Sequence, residues 1–172
     1  MVAGWGHSAV VTESGDLYTC GRNFQGQLGL GNPDDLLKNE RGHPYQPEFK
    51  RVESLANIPI ANISCGGEHS VALSQKGDVY TFGKGHLGQL GHDDGGSSHN
   101  TPKLVRKFKK DGRKTLQVAC GNNCTLVLRG HYKVPSLFSL CREKIRKTMD
   151  PKMLPATVVS IFDDLPEPEQ LQ

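Results

Sequence analysis

Aromatic residues are scarce in this 172-residue chain, only 6% of it, with a single tryptophan, Trp5. Proteins that grip single-stranded nucleic acid stack the bases on aromatic side chains, so that kind of platform is not expected. Long apolar runs are missing as well. No stretch approaches the ~20 apolar residues of a membrane span, and the first residues show no basic region followed by an apolar one. The expectation is an intracellular protein, cytoplasmic or nuclear, with no membrane partner. Cysteine is sparse and odd in number, five in all, which argues for reduced thiols rather than a disulfide framework. No nucleophile, base and orienting acid can be assembled from the spacings, so neither enzyme activity nor a cofactor is expected.

What is abundant is turn-forming residues, with 20 Gly and 10 Pro. They punctuate a block that is written twice at an offset of 62 residues. His7-Ser8-Ala9-Val10-Val11 returns as His69-Ser70-Val71-Ala72-Leu73, and Gly15-Asp16-Leu17-Tyr18-Thr19 returns as Gly77-Asp78-Val79-Tyr80-Thr81. Between residues 6–29 and 68–91, 11 of 24 aligned positions are identical, including Gly26-Gln27-Leu28-Gly29 and Gly88-Gln89-Leu90-Gly91. A third copy starts at Val118-Ala119-Cys120-Gly121, answering Ile63-Ser64-Cys65-Gly66, and stops near Gly130.

Within each copy a run of small and β-branched residues leads through a Gly-Asp turn to a second short run, the signature of a hairpin. Strands are expected over residues 8–12 and 17–20, and again over 70–74 and 79–82. The glycine-rich segment that follows is expected as a tight loop, and a further strand over 102–105. Residues 32–49, rich in Asp, Lys, Asn and Pro, read as a long surface loop. Four short strands in each 50-to-60-residue unit suit radial blades better than a helical solenoid.

The quoted blocks resemble the repeat of the regulator of chromosome condensation family. The resemblance implies propeller blades, seven of which close a ring in that family; two copies near 1–31 and 63–95 with a partial one over 118–130 do not. The expected fold is therefore mainly β, an incomplete propeller of two blades plus a partial blade over residues 1–130, followed by a helical tail over 131–172.

That tail breaks the pattern. Leu137, Leu140, Cys141 and Ile145 fall on one helical face after Pro135, and Val158, Ile161 and Phe162 form a second apolar stripe after Leu154-Pro155. Ser136-Leu137, Cys141 and Ile145, with three free positions in each gap, resemble the elongin-binding box that opens a SOCS box. The resemblance implies that Ser136, Leu137, Leu140, Cys141 and Ile145 contact elongin C, which brings elongin B with it. It also implies that Leu154, Pro155, Val158, Ile161 and Phe162 contact a cullin. The function expected is a substrate-recognition subunit of a ubiquitin ligase, its repeats holding a protein target. The alternative is a nucleotide-exchange or chromatin-binding fragment, by analogy with the founding member of the repeat family.

Other patterns carry less. Residues 1–102 hold 7 Lys/Arg against 11 Asp/Glu, and residues 103–172 hold 14 against 7. The basic run from Lys103 to Lys114 is read as a solvated strand pair with a basic turn rather than a nucleic-acid site. Gly83-Lys84-Gly85-His86-Leu87-Gly88 matches a dinucleotide fingerprint, yet no helix pattern follows it. His7 and His69 occupy equivalent positions one repeat apart and are expected as structural histidines, not metal ligands. Cys120 and Cys124 lack the spacing of a zinc site. Asn62-Ile63-Ser64 and Asn123-Cys124-Thr125 fit the glycosylation triplet but begin strands and are discounted.

Overall fold

The hairpins form because a left-handed glycine closes each turn. Gly15 and Gly77 both have φ 89°, a conformation closed to other residues without strain. Around them Thr12 and Ser74 accept from the amides of Asp16 and Asp78 through their hydroxyls at 3.0 Å. The computed structural model describes residues 1–109, 113–130 and 158–159, and twelve short strands run through them.

The first sheet contains β1 (Val2–Ala3), β2 (His7–Val11), β3 (Leu17–Arg22), β4 (Leu37–Lys38) and β5 (Pro44–Arg51), in the order β1-β2-β3-β5-β4. The second runs β6 (Ile60–Cys65), β7 (His69–Ser74), β8 (Val79–Gly83) and β9 (His99–Leu104) in chain order. The third holds β10 (Lys114–Cys120), β11 (Thr125–Gly130) and β12 (Val158–Val159). Pairing in the first two sheets is antiparallel throughout, and the repeat is kept in register: His7 faces Gly21 and Val11 faces Leu17, just as His69 faces Gly83 and Leu73 faces Val79. A five-stranded blade, a four-stranded blade and part of a third thus lie side by side, as a propeller requires.

The core lies between the sheets. Ala9, Leu17, Val52, Leu55, Ile60, Ile63, Ala72 and Phe82 fill the space between blades one and two. Val71, Leu73, Val79, Val105, Val118 and Val127 fill the next interface. Alternation along β7 produces both: Ser70 and Ala72 face one neighbour while Val71 and Leu73 face the other, which is why all six residues of that strand are buried. Phe82, fully buried, lies where a Cβ on Gly29 would come within 2.9 Å of its ring, so glycine at position 29 is what lets the loop of blade one close over blade two.

Three sequence expectations need correction. The segment 32–49 is more than a loop, since it contains a 3₁₀ turn at Pro33–Asp35 and the start of β5, which is paired along β3. Its prolines and charges hid it, and an outer strand tolerates both because one edge and one face meet solvent. For the same reason β5 and β9 fall outside the copies near 1–31 and 63–95. The last correction concerns the helix expected through Val158. Val158 and Val159 are strand, paired in parallel with Thr125 and Leu126. Among the described residues β11 lacks the antiparallel third strand that β2 and β7 have, and β-branched residues suit the pleated edge left open. The rest of that segment and the helix expected at 137–145 lie outside the described residues.

Replacing Phe82 with Ala leaves a cavity between blades one and two. A loss of ~3–5 kcal/mol is expected, read as a lower denaturation midpoint in guanidinium with an unchanged slope.

Candidate interaction surfaces

The two repeated histidines are joints between blades. Ser70 donates its hydroxyl to the carbonyl of Gln27 at 2.8 Å, and His7 Nε2 lies 2.9 Å from Ser70 Oγ. One hydroxyl carries one proton, so the ring nitrogen must be the donor and His7 is the Nε2-H tautomer. The next interface repeats it: His69 Nε2 lies 3.0 Å from Thr125 Oγ1, which donates to the carbonyl of Gln89 at 2.8 Å. Burial holds both rings neutral, with pKa lowered to about 4. In the third copy Cys124 stands at the histidine position, and no third histidine joint occurs among the described residues.

The Gly-Gln-Leu-Gly loop is built to present those carbonyls. The side-chain oxygen of Gln27 accepts from the amide of Gln25 at 2.8 Å, and that of Gln89 from the amide of Leu87 at 2.9 Å. Thr19 and Thr81 each donate to the carbonyl of the loop leucine, Leu28 or Leu90, at 2.8 Å. Each loop is therefore tied to its own third strand by leucine and to the next blade by glutamine.

The dinucleotide pattern fails on this geometry. Gly85 donates to Ser98 Oγ at 3.2 Å, and a Cβ on it would overlap the Ser97 carbonyl, so its glycine serves close backbone packing. Burial pushes the Cys65 thiol up to about 11 and that of Cys120 up to about 12, away from the reactive thiolate, and Cys20, Cys65, Cys120 and Cys124 form no disulfide with one another. Among the described residues no cluster of His, Cys, Asp and Glu offers a metal site. An open groove of about 580 Å³ is lined by Val2, Val11, Thr12, Ile60 and Asn62, on β1, β2 and β6 and beside them.

One end of the blades carries exposed apolar side chains. Trp5 in the β1–β2 turn is 75% exposed, Phe24 after β3 is 52% exposed, and Leu87 after β8 is 48% exposed. These turns share one end because β1–β2 and β6–β7 turns meet the ends of β3 and β8. Beside them Lys84 pairs with Glu68 at 2.7 Å, and Asp94 bridges His99 at 2.7 Å and Lys103 at 2.8 Å. The Lys103 hydrogen bond holds the Asp94 carboxyl down at about 2. Rigid loops with a few apolar anchors and a charged rim suit protein recognition. Sequence reasoning passed over Trp5, Phe24 and Leu87; the available signal was large apolar residues inside glycine-bounded loops. It had placed the binding residues in the tail, where Ser136, Leu137, Leu140, Cys141, Ile145, Leu154, Pro155, Ile161 and Phe162 lie outside the described residues and Val158 is in β12.

The buried histidines set an acid limit. Unfolded histidine binds a proton near pH 6.5 and the folded His7 and His69 only near 4, so stability is full above about pH 6.5 and falls as pH drops toward 4. A loss on the order of 3 kcal/mol for each is expected over that window, checked by urea unfolding at stepped pH; His69→Gln should flatten the slope while lowering stability at neutral pH.

Comparison with known proteins agrees with the blades. The Regulator of chromosome condensation (RCC1) repeat matches residues 14–73 and 76–128. The mouse probable E3 ubiquitin-protein ligase HERC4 is 40% identical over 126 residues, which is 73% of this chain and 11% of that protein. The mouse secretion-regulating guanine nucleotide exchange factor is 35% identical over 121 residues, 70% of this chain and 23% of that protein. The chain thus spans under a quarter of either relative. The solved structure of Prp20p from Saccharomyces cerevisiae superposes with a TM-score of 0.65 at 23% identity, over 86% of this chain and 34% of that one, a likeness of fold. The repeat match covers more than half of the residues and coincides with the paired strands, and the chain belongs to the RCC1-repeat family.

Proposed function

We propose that this chain is a non-catalytic substrate-recognition subunit of an elongin B/C-cullin-RING ubiquitin ligase. The blades hold a protein target at the loop end that carries Trp5, Phe24 and Leu87, and the tail docks on elongin C through Ser136, Leu137, Leu140, Cys141 and Ile145. The observation that carries this reading is the spacing Ser136-Leu137, Cys141, Ile145 directly after the last blade strand; relatives named as ubiquitin ligases support the setting. Its mechanism is proximity: ubiquitin transfer belongs to other subunits, and this chain raises the target's local concentration beside them. Leu137 fills an apolar pocket, and the small thiol of Cys141 lets two helices approach. Leu154, Pro155, Val158, Ile161 and Phe162 face the cullin, which obliges Val158 to leave its pairing with Thr125. The complex acts in the cytoplasm or nucleus.

A second reading has its own support. The mouse relative named as a guanine nucleotide exchange factor, and a Prp20p structure whose description names binding to Gsp1p and histones, favour a nucleotide-exchange or chromatin-binding fragment.

Co-expression with elongins B and C separates the two. Recovery of elongin C with the wild-type chain is expected, and Leu137→Ala should weaken it by about 10- to 100-fold, the loss of ~1.5–3 kcal/mol of buried leucine. No recovery, or equal recovery with Leu137→Ala and Cys141→Ala, removes the ligase reading. Faster nucleotide release from a small GTPase is the result that establishes its rival.

A further inference from the structure

β1 accompanies β2 for only two residues, Val2 beside Ala9 and Ala3 beside Ser8. In the second blade β6 runs on past the equivalent pairs, Ser64 with Val71 and Cys65 with Ser70, and places Ile63 beside Ala72, Asn62 beside Leu73 and Ile60 beside Ser74. The matching stretch of the first blade, Val10 to Thr12, has no strand on that edge among the described residues. Its backbone is turned toward the gap. The amide of Thr12 donates to the carbonyl of Asp16 at 3.0 Å, on the β3 side. Amides alternate between the two edges of a strand, so those of Val11 and Glu13 face the open edge. In the second blade Gln75, the counterpart of Glu13, donates its amide to the carbonyl of Pro59 at 2.9 Å.

A groove runs beside this edge. Its volume is about 580 Å³, and it is lined by Val2, Val11, Thr12 and Glu13 from the first blade and by Ile60 and Ile63 from the second. Both isoleucines belong to the core between these blades, and Val2 and Val11 pack against it, so the groove is where that core reaches an open strand edge. Natural sheets guard such edges with proline, lysine or a bulge. Val10 and Val11 are β-branched and uncharged, and their pairing with β3 is in unbroken register.

We propose that the Val10–Thr12 edge takes an extended segment of a partner chain by strand addition, in line with β1. The groove sets the chemistry of that segment. Its backbone pairs with Val11 and Glu13, and an apolar side chain lies against Ile60 and Ile63. A basic residue faces the exposed carboxylate of Glu13. The third blade shows the pattern: β10 holds this place beside β11, and Lys114 pairs with Gly130, the counterpart of Glu13. Leu116, Gln117 and Val118 follow in β10. The site lies at the end of β2 away from Trp5 and does not rest on the ligase reading.

The probe is a fluorescein-labelled peptide with the β10 sequence Lys114-Thr115-Leu116-Gln117-Val118-Ala119, added to the full 172-residue chain. Fluorescence polarisation should rise saturably, and the amides of Val11 and Glu13 should exchange with solvent several-fold more slowly in its presence, read by NMR. Glu13→Lys, at an exposed position, should weaken binding several-fold. Two further peptides carry backbone N-methyl groups, one at Thr115 and Gln117, the other at Leu116 and Val118. One should lose binding and the other keep it, because only one edge of an added strand pairs with β2. Absence of binding, an equal effect of the two methylation patterns, or protection at the Trp5, Phe24 and Leu87 loops in place of Val11 and Glu13 overturns the proposal.

Discussion

One hydroxyl per blade interface, shared between a histidine and a carbonyl, organises this structure. Ser70 and Thr125 each donate back to the backbone carbonyl of the loop glutamine of the preceding blade and accept from that blade's histidine. Both partners are buried, so an unmade bond would leave a polar group without water, and the cost of that failure enforces the relative placement of neighbouring sheets. Apolar packing supplies most of the stabilisation between blades, but it is not directional. The relay is, and it fixes which residues of the next blade face the core.

The same device explains why the glycine-rich loops are ordered. They carry little apolar surface, yet the side chains of Gln27 and Gln89 bond back to their own loops, and Thr19 and Thr81 hold the leucine carbonyls. A loop fixed in this way can place Phe24 or Leu87 in solvent without letting it collapse onto the blade. Rigid presentation of a few apolar groups lowers the entropy lost when a partner docks. Where Cys124 replaces the third histidine, no such joint is formed among the described residues.

The parts of the fold that were legible in the sequence share a cause. Inner strands face a core on both sides, so their residue types are constrained, and the hairpin glycines must adopt positive φ; His7-to-Gly29 and His69-to-Gly91 carry that constraint twice. β5 was illegible because an outer strand packs on little. β12 was misread because the apolar spacing around Val158 fits a helix equally well, and a free strand edge is visible only in three dimensions. Trp5, Phe24 and Leu87 were overlooked because an exposed apolar residue differs from a buried one by position, which periodicity in a loop does not report.

By itself the sequence determined the repeat unit, its register, the turn chemistry and the change of charge near residue 103, since each is a local demand of backbone or composition. Tertiary structure decided the roles of the repeated histidines, the common end shared by the exposed loops, the groove beside the open edge of β2, and the strand at Val158. Most of those are relations between residues far apart in the chain, 63 positions for His7 and Ser70 and 56 for His69 and Thr125, and only the stacking of one sheet on the next brings such residues within bonding distance.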